Sequence, residues 1–164
     1  YIYAVDDENM EEVVAKLLKD NCLTVACAES CTGGMLASRL TSISGSSMYI
    51  KGSIVTYSNE AKMKFLDVDK EILDTKGAVS PEVAKQMAEG VRKAVGSDIG
   101  VGITGIAGPT GGTDKKHVGL VYIAVAGKDN TVVKENVFSG DRARVRYRST
   151  QQALEMIRQY IKNK

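Results

Sequence analysis

The chain has a single histidine, His117, among 164 residues. It lies far in sequence from the three cysteines, Cys22, Cys27 and Cys31, so the ligand set of a structural or catalytic zinc site is not assembled. No base of the usual kind stands near those thiols either. No run of roughly 18 apolar residues occurs, which excludes a transmembrane helix, and no charged-then-apolar leader opens the chain. An odd number of cysteines without a secretory signal reads as free thiols in a reducing compartment, and so as a cytoplasmic protein. The formal net charge is only +2, too small to argue for a nucleic-acid or membrane partner. Repeats, linkers and low-complexity tracts are missing from the body of the chain, and no Gly-Lys-Ser or Gly-Lys-Thr occurs to make a Walker loop.

What is present fits one domain. The apolar fraction is 43% and the charged fraction 26%, ordinary for a globular fold of a size that needs no disulfide or structural metal. Residues 1–8, which begin without methionine and end in Asp6-Asp7-Glu8, read as a linker or tail from an upstream domain, with a trimmed terminus as the alternative. Residues 9–164 form the domain.

Met10, Val13, Val14, Leu17 and Leu18 recur at helical spacing behind a capping box, Asn9 with Glu12. Residues 23–28 and 49–57 read as strands. Between them Thr32-Gly33-Gly34 leads into a helix over 35–40, and Ser58-Asn59 caps another that runs to about Leu66. Ser80-Pro81-Glu82 opens a helix with Val83, Met87, Val91 and Val95 along one stripe. Strands follow at 99–104, 118–126 and 131–138, and a long terminal helix starts at Arg142. Strands alternate with helices first and pair directly later. The fold class is therefore α/β, a three-layer α/β/α domain with a mixed sheet.

Four segments carry candidate chemistry. In Ala28-Glu29-Ser30-Cys31-Thr32-Gly33-Gly34 a serine sits between strand and helix, where open α/β sheets place ligands. The N–H groups that follow suit an oxyanion. On local evidence alone Ser30 reads as a helix cap more often than as a nucleophile, and Cys31 is a rival nucleophile. Lys62, in the first turn of its helix, meets the positive dipole end, which favours the neutral amine a general base requires; a solvated surface lysine is the plain alternative. Lys64 points to nearly the opposite face.

The third segment, Thr104-Gly105-Ile106-Ala107-Gly108-Pro109, is a strand ending in a glycine-rich loop suited to a polar ligand. Gly100, Gly102 and Gly105 do match G-x-G-x-x-G, but they fall inside the strand, so the dinucleotide reading is rejected. The fourth is the arginine-rich start of the last helix. At about 100° per residue, Arg142 and Arg146 share one shoulder while Arg144 and Arg148 share the other. One pair suits a phosphate through its forked donors, or both are solvated.

Together these segments, with Tyr57-Ser58-Asn59-Glu60-Ala61-Lys62, Gly77-Ala78-Val79-Ser80 and Phe138-Ser139-Gly140-Asp141-Arg142, resemble the CinA C-terminal family from about residue 9 to the end. The resemblance implies hydrolysis of the carboxamide of nicotinamide mononucleotide to nicotinate mononucleotide and ammonia, without metal or organic cofactor. It implies Ser30 as nucleophile and Lys62 as its base, with Tyr57 and Thr104 completing the catalytic group. Thr32, Gly33, Gly34 and Gly105 would meet the substrate, and Arg142 or Arg146 would hold its nucleotide end. Family analogy also implies a homo-oligomer, and in some members an upstream domain. The rival reading is a nucleotide-binding or regulatory module that no longer turns over.

Overall fold

Alternation along the strands sends apolar side chains to both faces of one sheet, and the amphipathic helices cover both. The computed structural model describes residues 9–164; the linker expected at 1–8 lies outside them. The order is α1 (Met10–Asp20), β1 (Val25–Glu29), α2 (Met35–Thr41), a 3₁₀ turn (Ser46–Met48), β2 (Ile50–Val55), α3 (Asn59–Leu66), α4 (Lys70–Lys76), α5 (Pro81–Val95), β3 (Ile99–Gly105), β4 (Leu120–Ala126), β5 (Thr131–Val137) and α6 (Arg142–Lys162). The strands lie in the order β2-β1-β3-β4-β5. β1 is parallel to both β2 and β3, whereas β4 and β5 join antiparallel. This is the mixed sheet expected from the sequence.

Val25 and Cys27 of β1 point into a core shared with α1, α2 and α6, including Val14, Leu18, Leu36, Leu154 and Ile157. Ala26 and Ala28 point the other way, against Leu66, Leu73, Val83, Met87 and Val91 of α3, α4 and α5. The layers are thus α1/α2/α6, sheet, and α3/α4/α5. Arg39 ties the first layer together through Glu11, Thr150 and Gln151. No helix among the described residues is long and apolar enough to cross a membrane.

The glycines of β3 have a packing reason. A Cβ on Gly100 would lie 2.1 Å from the Ala88 carbonyl oxygen, and one on Gly102 would lie 2.5 Å from that of Ala84. Glycine there lets α5 settle directly on the strand, so the first two glycines of the G-x-G-x-x-G match form a helix-docking surface, while Gly105 lies against Leu120 and Val121 of β4. Gly102→Ala forces backbone apart, and we expect a stability loss of about 1–3 kcal/mol, read as a lower urea midpoint with unchanged slope.

Two elements were not anticipated. α4 is too short to show a period and has one buried side chain, Leu73, behind its Asp69 cap. The 3₁₀ turn buries none. β4 also starts later than expected, because Gly119 takes a left-handed φ of 96° and its N–H bonds back to the Ile106 carbonyl.

Candidate active site

β1 is flanked by β2 and β3, and the chain leaves its carboxyl end toward β2 before crossing back to β3. A crevice beyond the strand ends is expected at such a reversal. Here it is a cleft of about 320 Å³ whose lining includes Ser30, Lys62, Tyr57, Thr104, Gly105 and Arg142. Three successive connections meet there: the turn after β1, the start of α3 after β2, and the loop after β3.

Ser30 follows β1 directly, its N–H donating to the Ile103 carbonyl of β3 at 3.1 Å. Its side chain is therefore not a cap. The cap position of α2 is Gly34, which has no side chain to offer. Lys62 lies on the buried side of α3 and is 1% exposed. Its Nζ is 3.2 Å from Ser30 Oγ and donates to the Thr56 carbonyl at 2.8 Å. Burial lowers its pKa from the ordinary lysine value, with Cys31 a smaller opposing influence. Among the described residues no carboxylate pairs with it. A neutral amine fits this setting: one N–H donates to Thr56 and the lone pair faces the hydroxyl. Such a pair can take a proton from Ser30 and return it.

Cys31 is a poor rival. Burial pushes its thiol up to about 11, with Glu29 adding to the rise, and its side chain packs in the core beside α2 and α6. Lys64 is exposed, with its ammonium 5.4 Å from the Phe65 ring centre, and does not reach the cleft.

The two arginines separate. Arg142 Nη1 donates to the Gly108 carbonyl at 2.7 Å and Nη2 to the Tyr57 hydroxyl at 3.0 Å. Its guanidinium thus sits on the cleft rim between two of the three connections. Arg146 instead turns toward the Ser30 loop, donating from Nε to Cys31 O at 3.0 Å and from Nη2 to Thr32 O at 2.9 Å. It does not line the cleft. Thr104 lines the cleft wall with its hydroxyl committed to the Ala78 carbonyl at 2.9 Å. Thr32, Gly33 and Gly34 form the turn behind Ser30 without lining the cleft, whereas Gly105 does line it.

Glu29 was not singled out from the sequence, although a charged residue ending an otherwise apolar strand was a visible signal. It is fully buried. One carboxylate oxygen accepts from Thr32 Oγ1 at 2.6 Å and Leu36 N at 2.9 Å, the other from Ala37 N at 3.0 Å. A second cavity of about 400 Å³, between the β4–β5 turn and the end of α6, is lined by Val125, Lys128, Val132, Met156 and Tyr160 among others. It holds no nucleophile beside a buried base.

Comparison with known proteins gives concordant matches. A family model described as CinA C-terminal domain matches residues 7–161. A "CinA-like protein" of Kosmotoga olearia is 49% identical over 160-odd positions, covering 98% of this chain and 39% of its own length. A solved structure titled competence/damage inducible protein CihA, from Agrobacterium tumefaciens, has a TM-score of 0.87 at 39% identity, covering 94% of this chain and 96% of its own. A CinA superfamily protein from Klebsiella pneumoniae reaches a TM-score of 0.91 at 31% identity, covering 96% and 100%. The chain spans about two fifths of the length of the curated relatives it matches.

Proposed function

The chain belongs to the CinA C-terminal domain family, and from that premise we propose that it is an amidohydrolase that removes ammonia from nicotinamide mononucleotide. The observation that carries the reading is the contact of Ser30 Oγ with a buried, carboxylate-free Lys62 amine at 3.2 Å. The family resemblance supplies the substrate; the residues supply a route.

Neutral Lys62 takes the Ser30 proton as Oγ attacks the carboxamide carbon. The carbonyl oxygen becomes an oxyanion beside Cys31, the one residue of the turn after Ser30 lining the cleft, whose backbone N–H is the donor to receive it. The Lys62 ammonium then protonates the departing nitrogen, the C–N bond breaks and ammonia leaves. Water attacks the acyl-enzyme with Lys62 accepting its proton, the carboxylate product departs, and the proton returns to Ser30. Arg142 on the rim is the cation placed to meet the nucleotide phosphate.

The test is ammonia release from nicotinamide mononucleotide, nicotinamide riboside and free nicotinamide. Turnover of the first alone is expected. Binding of the mononucleotide without ammonia would identify a silent nucleotide-binding module instead. Arg142→Ala should raise KM with little change in kcat, as loss of uniform binding does. An unchanged KM would move the phosphate contact elsewhere.

A further inference from the structure

We propose that Glu29 and Arg146 clamp the turn after Ser30 from two sides, making Arg146 a positioning residue for the nucleophile loop and not a ligand for the substrate. The proposal rests on the amidohydrolase reading of Ser30.

The turn that follows Ser30 has no rigidity of its own. Gly33 and Gly34 both take left-handed φ values, α2 is two turns long, and its cap position lacks a side chain. Two charged groups supply what is missing, the buried Glu29 just before the turn and the half-buried Arg146 from α6. Glu29 accepts the Leu36 and Ala37 N–H groups, orphan donors at the start of α2, and the Thr32 hydroxyl. From the opposite polarity, the Arg146 fork holds the carbonyls of Cys31 and Thr32.

A trans peptide is planar, so fixing a carbonyl also fixes the next N–H, pointing the other way. Holding Cys31 O toward α6 aims the Thr32 N–H away from α6. Thr32 is fully buried and lies off the cleft, so the clamp acts on the path of the turn and, through it, on where Ser30 stands, while the Gly33 N–H closes the turn on the Ser30 carbonyl at 3.1 Å. Arginine suits this task because its donors are splayed to span two adjacent oxygens, which an ammonium cannot do with one geometry. A Cβ on Gly33 would come within 3.3 Å of Arg146 Nη2, so the turn and the guanidinium are in direct contact. Both donors toward the loop are occupied, and the group is turned from the cleft.

The experiment uses the whole chain with Arg146→Ala, Arg146→Lys, Glu29→Gln and, as control, Arg144→Ala. Ammonia release from nicotinamide mononucleotide is measured alongside the rate at which a fluorophosphonate labels Ser30. For Arg146→Ala a fall of about 100-fold in kcat is expected, the scale of a small misplacement of the reacting group, with KM nearly unchanged and kcat partly restored by free guanidinium. Arg146→Lys and Glu29→Gln should fall between this and the wild type, and Arg144→Ala should match the wild type. Labelling of Ser30 should slow in the same order, since the label is attacked by the same positioned hydroxyl.

A rise in KM at constant kcat would make Arg146 a substrate ligand and overturn the proposal. So would normal labelling rates in every folded variant, or loss of activity that guanidinium leaves untouched. If Arg146→Ala does not fold, Arg146→Lys and Glu29→Gln are judged by the same criteria. Wild-type protein that labels at Ser30 but releases no ammonia would sink the amidohydrolase reading, while the labelling rates still decide the clamp.

Discussion

Ser30→Ala is expected to abolish ammonia release, with kcat lower by on the order of 10⁴-fold or more, while Cys31→Ala should keep most of the activity. The adjacent residues could trade roles on paper, since a thiolate is the better nucleophile. Their surroundings separate them. Ser30 Oγ touches the one buried amine in the cleft, whereas the Cys31 thiol is held near 11 by burial and stays protonated at neutral pH. Alanine at 31 removes a core sulfur and some packing but leaves the backbone N–H of the turn in place. Mass spectrometry of the acylated protein, read with the two rates, checks the assignment. Equal losses in both variants would mean that the nucleophile is misassigned.

Lys62→Met comes second in size, with kcat reduced by about 10²–10⁴-fold, the usual share of a general base, against near wild-type rates for Lys64→Ala. Because burial lowers the Lys62 pKa, wild-type kcat/KM rises with pH as the amine loses its proton, with a midpoint below the ordinary lysine value. That limb disappears in Lys62→Met. Stability follows the same group. The unfolded chain binds the lysine proton more tightly than the folded one, so the folded protein gains stability as pH climbs from the lowered value to the ordinary one. It loses that increment as pH falls through the lowered value. The wild-type minus Lys62→Met difference in unfolding free energy should therefore increase with pH across this interval. A flat difference, or a kcat/KM profile without the basic rise, would remove Lys62 from the proton path.

Much of the frame was legible because it rests on period and punctuation. The α5 stripe at Val83, Met87 and Val91, announced by Ser80-Pro81, lies buried as its spacing required. The shift from alternating to paired strands gave the mixed sheet. What stayed hidden was long-range. Nothing local in Lys62 distinguishes it from Lys64; only the packing of α3 against α5, with Lys62 turned in toward Ser30 and the Thr56 carbonyl, buries the first and leaves the second in water. Arg142 and Arg146 share a helix shoulder, yet one turn of rise carries the second from the cleft rim to the back of the Ser30 turn. Glu29 was read as part of a motif without a task, since its partners come from the backbone of a helix whose cap residue contributes no side chain. α4 was missed because one buried leucine makes no pattern.

β2 is the outermost strand on its side of the sheet and has only β1 as a neighbour. The Thr56 carbonyl that receives the Lys62 amine follows this strand, and α3 hangs from it. Border strands open more readily than central ones, so a brief detachment of β2 would disconnect the base from the serine while the rest of the domain stays folded. The proposed turnover would then depend on the docking of an edge strand, and mild denaturant or heat is expected to silence it before the core gives way.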